Sequence, residues 1–284
     1  MTTPKIAIVT DSSCDLSDAQ LKEYGIRMIS LRVICQKGEY RDRIDLSQEQ
    51  LIEIMKHELP KTSLPLPEDV SALYDELFAE GYTDVLHLCI SSGLSGTYNM
   101  VRIIAEDYQN KLNIQVVDSL TLSTGLGLMT LTAAQAIRDG VSVQDVLPML
   151  QKVRKDCMAM FTIKTLDYLR KGGRIGMVEG MLGNFLNIKP VIYVDDNGVY
   201  QTLTKARGYK NAIESMVTEV KRFYGDAKVR LTVVHNQALE DAQKLMERLQ
   251  AELKVQEGAF IASVSPVLAV HTGPGLIGVV GNRV

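Results

Sequence analysis

The sequence predicts an α/β protein with two domains. Residues 1–156 are expected to form a mostly parallel sheet with helices on its faces, and residues 157–284 a smaller α+β domain with a mixed or antiparallel sheet. Two observations support this division. Up to about residue 156, apolar strand patterns alternate with amphipathic helix patterns, which is typical of a parallel sheet. Beyond that point, Asn197-Gly198 separates two strand patterns and indicates a β-hairpin.

Each predicted element of the first domain has a local signal. Capping boxes at Ser17/Gln20 and Ser47/Gln50 mark two helix starts, and Pro67 marks a third. Strands are predicted at 5–10, 27–35, 84–90 and 114–117, and helical apolar spacing is found at 51–55, 70–78, 100–108, 126–133 and 143–153. This succession places helices as crossovers between parallel strands.

The second domain orders its elements differently. Strands are predicted at 158–163, 188–194, 199–203 and 228–235, and helices at 165–171 and near 208–223 and 238–252. Two apolar segments, 258–270 and 276–281, follow, and the first is expected to end as a strand that delivers His271 to a Gly-Pro-Gly loop. Residues 176–186 combine Met and Leu with three glycines, which is consistent with core or with a movable apolar cover.

Composition excludes several functions. Lys and Arg number 31 against 34 Asp and Glu, and the resulting net charge of −3 argues against a nucleic-acid partner. Trp is absent, so base-stacking surfaces are also disfavoured. The four cysteines lack the spacing of a metal site, and we expect no metal and reduced thiols. Without a signal-peptide apolar region or an apolar run of roughly 20 residues, the expected location is the cytoplasm.

The most informative segment is SSGLSGTYNM at 91–100, between an apolar strand and an amphipathic helix. A strand that ends in a Ser/Gly loop before a helix directs backbone N–H groups and short hydroxyls at one point. The positive end of the helix dipole adds to the attraction for an anion there. The loop therefore predicts a site for a carboxylate or a phosphate.

Three other segments share this hydroxyl-rich composition: Asp11-Ser12-Ser13, Lys61–Pro65, and Asp118-Ser119 with Thr121 and Ser123. Loops after parallel strands gather at one edge of the sheet, where ligands bind. Ordinary helix caps and turns are the alternative interpretation for any one of them. Neither a P-loop nor a G-x-G-x-x-G fingerprint is present, so nucleotide binding is disfavoured.

Single residues add further hypotheses. Gly93 to Thr97 comes close to the nucleophile elbow of a serine hydrolase, with His271 as the base, although Thr97 replaces the final glycine. His271 is also suited to donate a hydrogen bond to an anion, or to cap a strand end. Arg174 and Arg207 are either solvated surface charges or partners for a phosphate or an acidic protein surface.

Eight motifs together resemble the DegV family, the fatty-acid-binding FakB subunits of bacterial fatty acid kinase. They are VTDSSCDLS (9–17), KTSLP (61–65), SSGLSGTY (91–98), VVDS (116–119), LRKGGRI (169–175), LNIKPVI (186–192), KARG (205–208) and HTGPG (271–275). The resemblance spans nearly the whole chain, in matching order and spacing. It implies a two-domain DegV-like fold in which the second domain closes over a tunnel that holds a long-chain fatty acid.

The resemblance also implies the roles of individual residues. Thr62 and Ser95 bind the carboxylate, the loop amides near Gly96 assist them, and His271 completes the network. Ser92, Arg174 and Arg207 are then supporting residues near the head group or the partner. Leu64 stands where the family more often has an amide side chain.

In such a protein catalysis belongs to a partner. The catalytic subunit of the kinase uses ATP to phosphorylate the bound acid, and this chain presents the acyl group, needs no cofactor and meets the membrane surface transiently. Two alternatives remain open from the residues: a serine hydrolase that uses Ser95 and His271, and a carrier for another apolar acid.

Overall fold

The computed structural model describes residues 4–176, 178 and 187–284, which fall into two compact units. Unit 1 comprises Met1–Arg154 and Ser265–Val267, and unit 2 comprises Lys155–Val264 and Leu268–Val284. The apolar cover hypothesised at 176–186 lies outside the described residues, except for Gly176 and Val178.

Unit 1 alternates strands and helices along the chain. Its elements are β1 (Ile6–Asp11), α1 (Asp18–Tyr24), β2 (Arg27–Ile29), β3 (Arg32–Cys35), β4 (Gly38–Arg41), α2 (Gln48–Met55), β5 (Lys61–Ser63), α3 (Pro67–Ala79), β6 (Asp84–Cys89), α4 (Thr97–Glu106), β7 (Asn113–Asp118), α5 (Thr124–Arg138) and α6 (Val143–Asp156), the last of which runs into unit 2. Both predicted capping boxes are formed, because each serine accepts the N3 amide and each glutamine accepts the serine amide.

The main sheet of unit 1 has the strand order β2-β1-β6-β7, and every neighbouring pair is parallel. Strand residues such as Val9, Val85 and Leu86 are fully buried, as expected when helices cover both faces of a sheet. The chain passes from β1 to β2 on one side and later returns to β6 on the other. The carboxyl ends of β1 and β6 therefore flank the topological switch point, where open α/β sheets bind ligands.

The prediction of one strand over 27–35 is wrong. The chain leaves the parallel sheet after β2, and β3 begins a separate antiparallel sheet with the order β4-β3-β5. Side-chain hydrogen bonds fix the corner between them: the Ser30 hydroxyl donates to the Asp42 carbonyl at 2.7 Å, and the Leu31 amide donates to Ser12 Oγ at 3.1 Å. Both strands are apolar, so the sequence pattern does not show the break.

Unit 2 is built on a mixed seven-stranded sheet. Its elements are β8 (Met158–Thr162), α7 (Asp167–Lys171), β9 (Ile188–Val194), β10 (Tyr200–Arg207), α8 (Tyr209–Tyr224), β11 (Lys228–Asn236), α9 (Leu239–Glu252), β12 (Lys254–Val255), β13 (Phe260–Ser263), α10 (Pro266–Thr272), whose first two residues belong to unit 1, and β14 (Leu276–Arg283). The order is β10-β9-β8-β14-β11-β12, with β13 also on β11. Only β12 and β13 run parallel to their neighbour, which confirms the predicted mixed sheet in the part of unit 2 that the structure describes.

The predicted hairpin is confirmed. Strands β9 and β10 are antiparallel, and Gly198 takes the positive φ of 74° that favours glycine in the turn. The Asp195 carboxylate organises this turn, because it accepts the amide of Asn197 at 2.9 Å and that of Val199 at 3.1 Å.

The expectation that His271 follows a strand is wrong. Only 260–263 of the apolar segment form a strand, and His271 lies in the last turn of α10. Pro266 starts this helix because proline suits the first helical position. Two buried carboxylates bind amides at its amino end: Asp15 accepts the Ser265 amide at 2.8 Å, and Asp42 accepts the Val267 amide at 3.0 Å. These four residues all belong to unit 1.

Burial raises the pKa of Asp15 to about 6 and the pKa of Asp42 to about 7. An aspartate in an unfolded chain has a pKa of about 3.9. Between these values the folded state holds protons that the unfolded state has released. The contribution of Asp42 to stability is therefore greatest at acidic pH and declines as the pH rises toward 7.

We predict that Asp42→Asn gains stability relative to the wild type as the pH rises. Asparagine keeps an oxygen for the Val267 amide but does not ionise, so the difference in free energy of unfolding should move in favour of the variant by about 2 kcal/mol between pH 5 and 8. Urea unfolding at both pH values measures this. Asp45→Asn is the control, because Arg41 lowers the pKa of the exposed Asp45 to about 2 and this group stays ionised throughout. Equal pH dependence of Asp42→Asn and wild type would contradict the account.

Candidate anion-binding site

Asp11 joins the ends of β1 and β6 at the switch point. Its carboxylate is fully buried and accepts the Ile90 amide at 2.6 Å, together with the amide and the hydroxyl of Ser13 at 3.0 and 2.5 Å. Burial raises the pKa of Asp11, and these hydrogen bonds oppose the rise. The hydrogen bond to Ile90 fixes the point at which the Ser/Gly loop leaves β6.

Hydrogen bonds within the loop hold Ser91–Ser95 in one conformation. The Ser91 carbonyl accepts the amides of Leu94 and Ser95, both at 3.0 Å, and Ser91 Oγ accepts that of Gly93 at 3.1 Å. The Ser91 amide donates to the Thr121 carbonyl, and the exposed Ser92 donates its amide to Asp118. The loop that follows β7 thus supports the loop that follows β6.

The donors of the site lie at the amino end of α4. Gly96 is the N-cap of this helix, and within the described part of the chain its amide donates to no protein acceptor. Ser95 Oγ lies 2.9 Å from Thr97 Oγ1 and accepts the Thr97 amide at 3.3 Å. A free amide, a hydroxyl pair and the helix dipole together favour an anion.

Thr97 is the residue of this group that the sequence analysis did not assign to the site. It is fully buried, and its hydroxyl positions that of Ser95. A hydroxyl residue at the first position of a helix, directly after Ser-Gly, was the available signal.

Strand β5 lies beside the loop. Both δ-methyl carbons of Leu64 are 3.5 Å from the place that a Cβ on Gly96 would occupy. Thr62, half-buried and paired with Val33 in the small sheet, precedes Leu64 by two residues. Because residues two apart in extended backbone face the same side, we infer that Thr62 is directed toward the loop. Thr62, Ser92, Ser95 and Gly96 thus all belong to unit 1.

His271, Arg174 and Arg207 belong to unit 2. A Cβ on Gly172 would stand 2.2 Å from His271 Nδ1, so the buried imidazole lies directly against this glycine. Gly172 has an ordinary φ of −77°, so glycine is required here because a Cβ would clash with His271 and not because of the backbone conformation. Gly173 has open space where a Cβ would stand, but its φ is +69°. Glycine is favoured at this position because it adopts a positive φ without strain.

Charge and burial set the state of His271. Burial, with the nearby Arg174 charge as a second cause, lowers its pKa to about 4, so the imidazole is neutral at physiological pH. Arg174 donates from Nη1 to the Gly172 carbonyl at 2.9 Å, which ties it to the same motif. Arg207 is exposed at the end of β10, where its carbonyl accepts the Asn211 amide group at 2.7 Å.

The described residues contain no group of three or more His, Cys, Asp or Glu side chains that could hold a metal ion. All four cysteines are buried, and none forms a disulfide within the part of the chain that the structure describes. Among the helices that the structure describes, none combines the length and apolar character needed to cross a bilayer.

Comparison with known proteins identifies the family. The family model described as "Uncharacterised protein, DegV family" matches residues 5–282. This chain belongs to the DegV family. A DegV domain-containing protein of Clostridium acetobutylicum is 36% identical over 276 residues, which cover 97% of this chain and 98% of that protein. A DegV domain-containing protein of Deinococcus radiodurans is 35% identical over 280 residues, covering 96% and 97%.

Solved DegV structures share the whole fold. A DegV family protein from Thermus thermophilus, described as fatty acid binding, superposes with a TM-score of 0.92 at 31% identity and covers 99% of this chain and 100% of its own. DegV from Bacillus subtilis, described as a fatty acid binding protein, gives 0.88 at 28% identity, with coverage of 99% and 100%. A stearic acid-binding protein from Eubacterium ventriosum gives 0.88 at 28%, with coverage of 98% for both chains.

Proposed function

We propose that this chain binds a long-chain fatty acid and holds its carboxylate at the amino end of α4. The observation that carries the proposal is a pair of donors at the switch point of the sheet. They are the amide of Gly96, which has no acceptor among the residues that the structure describes, and the hydroxyl of Ser95. Support comes from two DegV proteins of the same fold that are described as fatty acid binding and from a protein of the same fold that is described as binding stearic acid.

The proposed ligands of the carboxylate are Thr62, Ser95 and the Gly96 amide, with His271 completing the network. An ionised carboxylate removed from water needs hydrogen bonds to offset its desolvation. Hydroxyls, an amide and a neutral imidazole supply them without a lysine, so the carboxylate keeps its nucleophilic character. We assign supporting roles near the head group or the partner to Ser92, Arg174 and Arg207.

The acyl chain supplies the main binding energy in this proposal. Each methylene transferred from water to an apolar tunnel contributes about 0.8 kcal/mol. A long acyl chain then needs few polar contacts for affinity. The polar end serves to orient the ligand.

We further propose that the chain acts as the substrate-presenting subunit of a bacterial fatty acid kinase. The catalytic partner would transfer the γ-phosphoryl group of ATP to the carboxylate, giving ADP and an acyl phosphate that this chain carries toward phospholipid synthesis. The chain would need no cofactor of its own and would meet the membrane surface only to exchange lipid.

Two observations disfavour the serine hydrolase. Ser95 Oγ is engaged with the hydroxyl and the amide of Thr97, and the low pKa of His271, about 4, makes it a weak base at neutral pH. Labelling of Ser95 by a fluorophosphonate probe would restore this alternative. A carrier for another apolar acid differs from our proposal only in the identity of the ligand.

Gly96→Ala should weaken fatty acid binding and leave the fold intact. Its φ of −73° suits alanine, and the new methyl group would make only an ordinary contact with Leu64, so the change in stability should stay within about 1 kcal/mol. The same methyl group obstructs an anion at the Gly96 amide, and we expect the Kd for palmitate to rise about tenfold or more.

Gly140→Ala provides the opposite control. Its φ of +86° strains alanine, so this variant should lose stability but keep its affinity. Thermal unfolding and a fluorescent fatty acid displacement assay measure both properties. Wild-type affinity of Gly96→Ala would show that the carboxylate binds elsewhere.

Ser95→Ala and His271→Ala should slow acyl phosphate formation by the kinase at least about tenfold, because each loses a hydrogen bond to a buried charge. The assay combines palmitate, ATP and the catalytic subunit, and acyl phosphate is trapped with hydroxylamine. Ser63→Ala, an exposed serine next to Thr62 on β5, is the matched control and should turn over normally. Wild-type rates for both site variants would remove these residues from the site.

A further inference from the structure

Leu64 is the apolar side chain that lies against the proposed carboxylate donors. Its two δ-methyl carbons lie 3.5 Å from the place that a Cβ on Gly96 would occupy, so the side chain is adjacent to the residue whose amide we assign to the ligand. The side chain is half-buried, so part of its surface stays open beside the loop. A ligand bound at Gly96 would therefore have this isopropyl group as a neighbour.

The backbone around Leu64 is held firmly. Strand β5 pairs with β3 in a defined register, Val33 with Thr62 and Arg32 with Ser63. The buried Pro65 follows, and a residue that precedes proline is restricted to extended backbone. The leucine is thus fixed from both sides and is poorly placed to move away from a ligand.

The neighbouring polar groups have little capacity for a second ligand group. The amides of Ser91, Ser92, Gly93, Leu94 and Ser95 all donate to acceptors within unit 1. The hydroxyls of Thr62 and Ser95 and the Gly96 amide are assigned to the carboxylate itself. A polar substituent on the carbon next to the carboxylate would face the methyl groups of Leu64 without a hydrogen-bond partner.

We propose that Leu64 determines specificity at the head group. It restricts the site to carboxylic acids with an unsubstituted methylene next to the carboxylate, and it excludes 2-hydroxy and 2-amino acids of the same chain length. The physical cause is the desolvation of the extra polar group against an apolar wall. This inference rests on the proposed function.

The test compares two acids on four variants and the wild type. Dissociation constants for hexadecanoic acid and 2-hydroxyhexadecanoic acid are measured, and their ratio is the readout, since a general loss of folded protein cancels in it. For the wild type we expect a preference of about tenfold to a hundredfold for the unsubstituted acid. Leu64→Asn, which offers a hydrogen-bond partner, and Leu64→Ala, which admits water, should bring the ratio close to one.

Leu64→Met and Leu66→Ala are the controls. Methionine conserves the apolar volume and should keep the preference. Leu66 is an exposed leucine two residues farther along, so its removal should also leave the ratio unchanged. An unchanged ratio in both Leu64→Asn and Leu64→Ala overturns the assignment of Leu64 while fatty acid binding stands. Failure of the wild type to bind either acid overturns the proposed function and this inference with it.

Discussion

The hydrogen bond between the buried Asp11 carboxylate and the Ile90 amide is the constraint on which the candidate site depends. A carboxylate with no basic partner is costly inside a protein unless its oxygens accept hydrogen bonds, and Asp11 accepts three of them. It thereby ties the ends of β1 and β6 together at the switch point. The Ser/Gly loop leaves β6 from a fixed position, and the exposed Gly96 keeps an amide with no acceptor among the described residues.

The hydrogen-bond donors of this site are electrically neutral. The amide of Gly96 and the hydroxyls of Ser95 and Thr97 all lack formal charge. Such groups stabilise a carboxylate and still leave it able to attack a phosphoryl group. A lysine at the same place would bind the anion more strongly but would draw charge away from the reacting oxygen. The chemistry that we propose for the partner therefore explains the choice of residues.

Much of this organisation could be predicted from the sequence, because it depends on local signals. Capping boxes at Ser17 and Ser47, the turn at Asn197-Gly198 and the loop at 91–100 act over a few residues and were found. The break at Ser30-Leu31 and the helix around His271 were missed. The break depends on hydrogen bonds to Ser12 and Asp42, and the start of the helix depends on hydrogen bonds to Asp15 and Asp42. These partners are distant in sequence, so a local sequence pattern does not show them. The contact of Leu64 with Gly96 joins separate elements in the same way.

The most direct test of the central claim is to identify the lipid that the protein carries. The protein is purified without detergent, extracted with organic solvent, and its lipid is quantified by mass spectrometry against the protein concentration. We predict about one long-chain fatty acid per protein chain. Its identity would also reveal which acyl chains the protein prefers. An empty extract from protein that also fails to bind added fatty acid would contradict the claim, and the donors at Gly96 would then belong to a different anion.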